Sequence, residues 1–154
     1  MNPGLTGTVL IAMVLFSIGS QQVLAKEQKI ACTATPQAAQ DSFKAAFPNA
    51  TIKNCVKDSD NGKVEYEFSS DEGKTHRDVS FDGDGKLMVS EETIAVGDIP
   101  EPVHAAVNKK YPGDTVTSAE KVTRADSVRF ELRVKHKGKR VEAVFDPDGN
   151  DVTQ

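Results

Sequence analysis

The chain has 154 residues, with 23 acidic against 19 basic side chains, a formal charge of −4 at pH 7, two cysteines and no tryptophan. That length holds one compact domain, or two small lobes that share a core. Its acidic balance, and a basic cluster with Phe130 as its one aromatic residue, give little support to nucleic-acid binding by base stacking.

The first 25 residues read as a secretory signal and not as part of the fold. Val9 to Ile18 is apolar apart from Ser17, and Val23-Leu24-Ala25 follows with small residues at the −3 and −1 positions of a cleavage site. The segment before the run has no Lys or Arg, so the alternative is an uncleaved anchor. Against that, the run is shorter than the roughly 20 residues needed to cross a bilayer. Cys32 follows Lys29-Ile30-Ala31 well beyond the apolar run, which argues against a lipoprotein. The expected mature chain is Lys26 to Gln154, periplasmic or secreted, with no membrane span.

In an oxidising compartment the two cysteines, Cys32 and Cys55, are most simply one disulfide. It would tie the segment before the first helix to the first strand after it, stabilising the fold by roughly 3 kcal/mol through loop closure. Free or reactive thiols are the alternative, but a redox role favours close spacing such as C-x-x-C.

From Pro36 onward one pattern is written twice, 64 residues apart. Pro36, Pro48, Thr51, Lys57, Val64, Glu67, Phe81, Asp82, Asp84 and Gly85 recur as Pro100, Pro112, Thr115, Lys121, Val128, Glu131, Phe145, Asp146, Asp148 and Gly149. A fixed period marks repeated structural units. The units are expected at 26–96 and 97–154, joined only by Ile94-Ala95-Val96-Gly97, and so firmly docked. Cys55 has Ala119 as its counterpart, so the bridge lies outside the shared pattern.

Each unit opens with a predicted helix. Ala39, Phe43, Ala46 and Phe47 make one apolar face, with Thr35 as capping hydroxyl, Pro36 in the first turn and Pro48 as the stop. Val103, Val107 and Tyr111 repeat the face in the second unit, between Asp98–Pro102 and Pro112-Gly113. The apolar period then drops from 3.6 to 2. Val64, Tyr66 and Phe68 alternate with Glu65, Glu67 and Ser69, and Val128, Phe130, Leu132 and Val134 with Arg129, Glu131, Arg133 and Lys135. Turn signals at Asp60-Asn61-Gly62, Asp71-Glu72-Gly73, Asp82-Gly83-Asp84-Gly85, Ala125-Asp126, Lys137-Gly138 and Asp146-Pro147-Asp148-Gly149 separate the strands. The predicted fold is α+β: two tandem repeats, each one helix packed on a four-stranded antiparallel meander sheet. Val79 and Phe81 should face the first helix, and Ala143 and Phe145 the second.

Ile99-Pro100 with Val103, Tyr111-Pro112-Gly113-Asp114-Thr115-Val116, Val128-Arg129-Phe130-Glu131-Leu132 and Val144-Phe145-Asp146-Pro147-Asp148-Gly149 resemble the PepSY-like family, also described as having the β-lactamase-inhibitor-protein fold. The match is close in the second repeat and looser in the first, where Gly83 replaces Pro147 and the cysteine pair is extra. The resemblance implies a periplasmic or secreted non-enzymatic module that binds or restrains another protein.

Candidate sites are few. Asp82/Asp84 and Asp146/Asp148 invite a calcium reading, but position twelve of an EF-hand counted from Asp82 is Thr93, and both stretches fall where a hairpin turn is required. His76, His104 and His136 have no partner at ligand spacing, so no metal site is written. Ser90 and Ser118 lack a neighbouring base, and no catalytic residue or cofactor is expected. What remains is the solvent-facing side of the sheets: Lys57, Glu65, Glu67, Asp78 and Ser80 in the first unit, and Lys121, Arg129, Glu131, Arg133, Glu142 and Val144 in the second.

Charge is uneven along the chain. Lys26–Val96 holds 13 acidic and 9 basic residues, Gly97–Gln154 holds 10 of each, and the basic ones concentrate between Lys121 and Arg140. The cluster is either a solvated hairpin protecting a strand edge or an attraction for an anionic partner. Neither tyrosine is free as a binding anchor, since Tyr66 and Tyr111 fall on core positions. The sequence therefore points to an exported binding module that uses Lys121, Arg129, Glu131, Arg133 and Glu142 toward an acidic protein or anionic envelope polymer. Its rivals are an inhibitor of a periplasmic peptidase or hydrolase and an extracytoplasmic cation-binding protein. Self-association through strand edges stays open.

Overall fold

The computed structural model describes residues 26–60 and 62–153. The expected export signal, Asn61 of the first expected turn and Gln154 lie outside the described residues.

Eight antiparallel strands form one sheet in the order β1 to β8: β1 (Lys26–Ile30), β2 (Thr51–Asp60), β3 (Lys63–Glu72), β4 (Thr75–Phe81), β5 (Leu87–Ile94), β6 (Thr115–Arg124), β7 (Ser127–His136) and β8 (Lys139–Phe145). Helix α1 (Gln37–Ala46) precedes β2, and α2 (Glu101–Lys110) precedes β6. Two units are present as expected, but they share one sheet. Strand β5 pairs with β6 from Val89↔Arg124 to Ile94↔Ala119. Two separate sheets would leave the outward-facing backbone groups of β5 and β6 without partners, and pairing them removes two edges at once.

The units also differ in strand count. In the first, β2 to β5 make the expected four strands. In the second, the place of β5 is held by a single bridge, Phe145↔Asp151, with the Val152 amide donating to the Val144 carbonyl at 2.8 Å. Strand β1 was not foreseen. It pairs with β2 from Lys26↔Ser59 to Ile30↔Cys55, and its sequence, Lys-Glu-Gln-Lys-Ile, has no apolar alternation to announce a strand.

Both helices lie on the same side of the sheet, each over its own unit. Ala39 and Phe43 of α1 pack on Cys55, Phe68, Val79 and Phe81 of the sheet. The Phe43 and Phe68 rings are 5.1 Å apart, and Phe68 meets Phe81 edge-on at 5.8 Å. Val103 and Val107 of α2 pack on Ala119, Phe130, Leu132, Val134, Ala143 and Phe145. Val79, Phe81, Ala143 and Phe145 are all buried, as their register predicts.

Details of the helix ends differ from expectation. Pro36 is the N-cap of α1 and no side chain caps it. The Thr35 hydroxyl donates backward to the Cys32 carbonyl at 2.7 Å, closing the single 3-10 turn Cys32–Ala34, while Gln40 donates to the Thr35 carbonyl. Ala46, expected on the apolar face, is exposed at the last residue of the helix. Cys32 and Cys55 form the expected disulfide, with Cα atoms 5.2 Å apart.

Candidate functional site: the helix-free face of the sheet

Which side chains reach the open face is set by a bulge that occurs at the same place in both units. Register slips between Ile52 and Asn54 in β2, and between Val116 and Ser118 in β6, leaving Lys53 and Thr117 as the extra residues. Ile52 and Val116 pack toward the helices. Beyond the bulge, parity reverses, so that Cys55 and Ala119 also point to the helices.

Two residues expected on the open face are thereby moved. Lys57 is paired with Tyr66, and Lys121 with Phe130 and Glu92, so both lie on the helix side. Glu65, Glu67, Asp78 and Ser80 of the first unit, and Arg129, Glu131, Arg133, Glu142 and Val144 of the second, do share the open face through the pairs Glu67↔Ser80, Val122↔Arg129, Glu131↔Val144 and Arg133↔Glu142. Asp58, Val89, Glu91, Val122 and Arg124 join them through Asp58↔Glu65, Val89↔Arg124, Asp78↔Glu91 and Glu91↔Val122. These were missed because Asp58 and Val122 follow the bulges, and because β5 carries no clean apolar alternation.

The centre of this face is a shallow depression of about 130 Å³ lined by Asp58, Glu65, Glu67, Asp78, Ser80, Val89, Glu91 and Arg124. Five carboxylates thus face one guanidinium. Ser80 donates to Glu65 at 2.9 Å, and Asp58 Oδ1 is shielded from solvent with no hydrogen-bond partner. Partial burial pushes the Glu67 carboxyl above its ordinary value, helped by repulsion from Asp78, Glu27, Glu91 and Asp58. Burial also raises Glu91, with Arg124 opposing and Glu120 and Asp78 adding to the rise. Glu131 is raised by burial and by Glu142, Glu91 and Glu120. Arg133 lines a second, smaller depression among Ser118, Glu120, Glu131 and Glu142, so its charge is set against three carboxylates. The second unit's open face is therefore less cationic than its sequence suggests.

The aspartate turns are built from their own carboxylates. Asp82 Oδ1 accepts from the amides of Asp84 and Lys86 at 3.0 and 2.9 Å, and Asp146 Oδ1 from those of Asp148 and Asn150 at 3.0 and 2.8 Å. Each turn closes against a helix. A Cβ on Gly85 would stand 2.6 Å from the Ala38 carbonyl oxygen, and one on Gly149 2.5 Å from that of Pro102. Among the described residues no group of three or more His, Cys, Asp or Glu side chains is arranged to hold a metal ion. His76 is hydrogen-bonded to Asp71 at 2.7 Å, His136 to Asp114, and His104 to Asn108 at 3.0 Å.

The helix side holds one charge network that the sequence does not announce. Arg77, with its side chain 12% exposed, contacts Glu72 at 2.8 Å and Glu92 at 3.2 Å. Its guanidinium lies 5.1 Å from the centre of the Phe47 ring. This arrangement braces β3, β4 and β5 against the end of α1.

The chain matches a family provisionally described as beta-lactamase-inhibitor-like, PepSY-like, over residues 21–88 and again over residues 64–152. No curated protein matches it. A BLIP-like protein from Bacteroides fragilis is similar in structure, with a TM-score of 0.59 and 25% identity over 78% of this chain and 88% of that one. A DUF2874 family protein from Bacteroides ovatus gives a TM-score of 0.61 at 15% identity, covering 77% of this chain and 85% of that one. A protein from Bacteroides eggerthii, provisionally described as periplasmic, gives 0.62 at 17% identity, covering 78% and 87%. With one family match taking in α1 and the other α2, the chain belongs to the PepSY-like family and carries its unit twice.

Proposed function

We propose that this protein is an exported, periplasmic, non-enzymatic binding module, and that it engages a protein partner through the helix-free face of its sheet. Export is supported by the apolar run Val9–Ile18 and by the periplasmic description of the Bacteroides eggerthii structure. The observation that carries the binding reading is the depression where Asp58, Glu65, Glu67, Asp78 and Glu91 face one guanidinium, Arg124, with His76 reaching only Asp78, at 3.4 Å, from outside it. Half-buried like charges oppose one another and are poorly hydrated, and a cationic segment laid over them would relieve both penalties. The partner surface is therefore basic, opposite in sign to the one its run of Lys and Arg residues suggests. Arg129, Glu131, Arg133 and Glu142 would border the contact, and Lys121 would not.

Inhibition of a peptidase or hydrolase would use the same face, but tight inhibition usually rests on aromatic anchors, and Tyr66 and Tyr111 pack on the helix side. The test is affinity purification from an envelope extract at low and high salt, read by mass spectrometry. It would use the protein, a Glu67→Gln/Glu91→Gln/Glu131→Gln variant and an Arg129→Glu/Arg133→Glu variant. A partner lost with the glutamine variant and at high salt supports a basic ligand. Loss with the arginine variant instead restores an acidic one. A partner held equally by all three proteins rules out this face.

A further inference from the structure

The two units differ at one end of the sheet, where their second and third strands turn. In the first unit Asp71 sits between two cations: Lys53 lies 3.4 Å away and His76 2.7 Å away. Shifted by the repeat, these positions become Thr117, Lys135 and Arg140. The carboxylate has become an amine, and the residue directly across the strand pair from it, Arg140, is also cationic. Like charges placed opposite each other on adjacent strands destabilise a hairpin.

The turn itself adds to the mismatch. Gly73 of the first unit, at φ 63°, is replaced by Lys137 at φ 49°, the only non-glycine residue with positive φ among the described residues. A side chain in that conformation is strained, so a third cation is held here against both backbone preference and charge repulsion. Lys139 completes the group, facing His136 across the turn. No described carboxylate makes an ion pair with Lys135, Lys137, Lys139 or Arg140. Three of these cations, Lys135, Lys139 and Arg140, line a notch of about 250 Å³ with Thr117 and Gly138, and Lys137 sits in the turn beside it. Backbone strain of this kind clusters at functional sites, and here it stands beside an opening lined by unpaired cations.

We infer that this notch is a binding site for a phosphate group. In the first unit Asp71 bridges Lys53 and His76, and His76 also reaches Asp78 at 3.4 Å; in the second the place of Asp71 is itself cationic, so a doubly charged oxyanion suits the three cations that line the notch. The planar fork of Arg140 matches two phosphate oxygens, with the lysines acting as point charges. The inference does not rest on the carboxylate face, and the two sites differ in sign.

The probes are inorganic phosphate against chloride at matched ionic strength, read by calorimetry and thermal midpoint, and vesicles of phosphatidylcholine with and without phosphatidic acid, read by co-sedimentation. The key variant is Lys135→Asp with Arg140→His, which copies the first unit's own pairing into the second and therefore has a precedent within the same fold. A second variant, Lys137→Gly, copies Gly73 and relieves the positive φ. Phosphate should raise the midpoint of the protein, and its affinity should fall at least tenfold in the double variant and severalfold in Lys137→Gly. Free phosphate binding that behaves this way supports a soluble ligand. Binding only to phosphatidic acid vesicles, lost in the same variants, supports a phosphate borne on a surface. Binding to neither probe, or equal binding by all three proteins, overturns the site.

Discussion

Replacing Cys32 by Val and Cys55 by Ala should leave the fold intact and lower its stability by about 3.4 kcal/mol. The substitution is chosen because the second unit already makes it: 64 residues on, Cys32 and Cys55 become Val96 and Ala119. There Ala119 is fully buried and Val96 packs against the same core. The magnitude comes from the loop. The cysteines are 23 positions apart in sequence, and releasing a loop of that size returns about 3.4 kcal/mol of chain entropy to the unfolded state at 25 °C. Spread over an unfolding entropy of about 2.1 cal/mol/K per residue, this lowers the thermal midpoint by about 12 °C. The assay is urea unfolding of the oxidised protein and of the double variant, followed by far-ultraviolet circular dichroism. The slope against urea should steepen, because an uncrosslinked chain exposes more surface. A loss under about 1 kcal/mol with an unchanged slope would refute the loop argument. A variant that fails to fold at all would show that the first unit cannot use the second unit's core solution.

Other outcomes follow from the same structure. Gly85→Ala and Gly149→Ala should each cost at least about 2 kcal/mol, combining left-handed backbone with a carbonyl contact, whereas Gly113→Ala, in open space, should cost about 1 kcal/mol; urea midpoints separate them. Phe68→Ala should cost about 3–5 kcal/mol in the same assay, since Phe68 is fully buried between Phe43 and Phe81. Stability should depend on pH in two opposite ways. Glu67, Glu91 and Glu131 have raised folded values, so their favourable contribution is complete below the ordinary value of 4.5 and is lost as pH rises through the raised ones. His76, raised above 6.5 by Asp71, acts in the same direction near neutrality. Asp71, Asp146 and Asp151 are lowered by their hydrogen bonds, Asp151 to about 2, and their contribution is lost below 3.8. Urea midpoints should therefore rise as pH falls from 8 toward about 5 and drop again below about 4. The Glu67→Gln/Glu91→Gln/Glu131→Gln variant should lose most of the first change.

Much of the architecture is local, and so was legible. Proline positions and apolar spacing set both helices, and turn residues at Asp82 and Asp146 set the hairpins. Parity within β4 and β8 put Val79, Phe81, Ala143 and Phe145, all 2% exposed or less, beneath the helices. These features depend on a residue and its near neighbours in the chain. Three others do not. Strand β1 exists only because β2 offers it a free edge, since its own sequence has no strand pattern. The single sheet depends on β5 meeting β6 across an intervening helix, which satisfies backbone groups that carry no side-chain signature. The open face depends on one extra residue in each unit, Lys53 and Thr117, which reverses every side chain after it and turns Lys57 and Lys121 to the helix side. Counting charges along the chain therefore suggested a basic second unit. Pairing across strands decided the sign, gathering carboxylates from β2, β3, β4 and β5 at the centre and leaving unpaired cations at the turn between β7 and β8. The repeat itself determined which positions correspond. Only the tertiary structure decided which of them lie side by side, because register is a property of strand pairs and not of a strand.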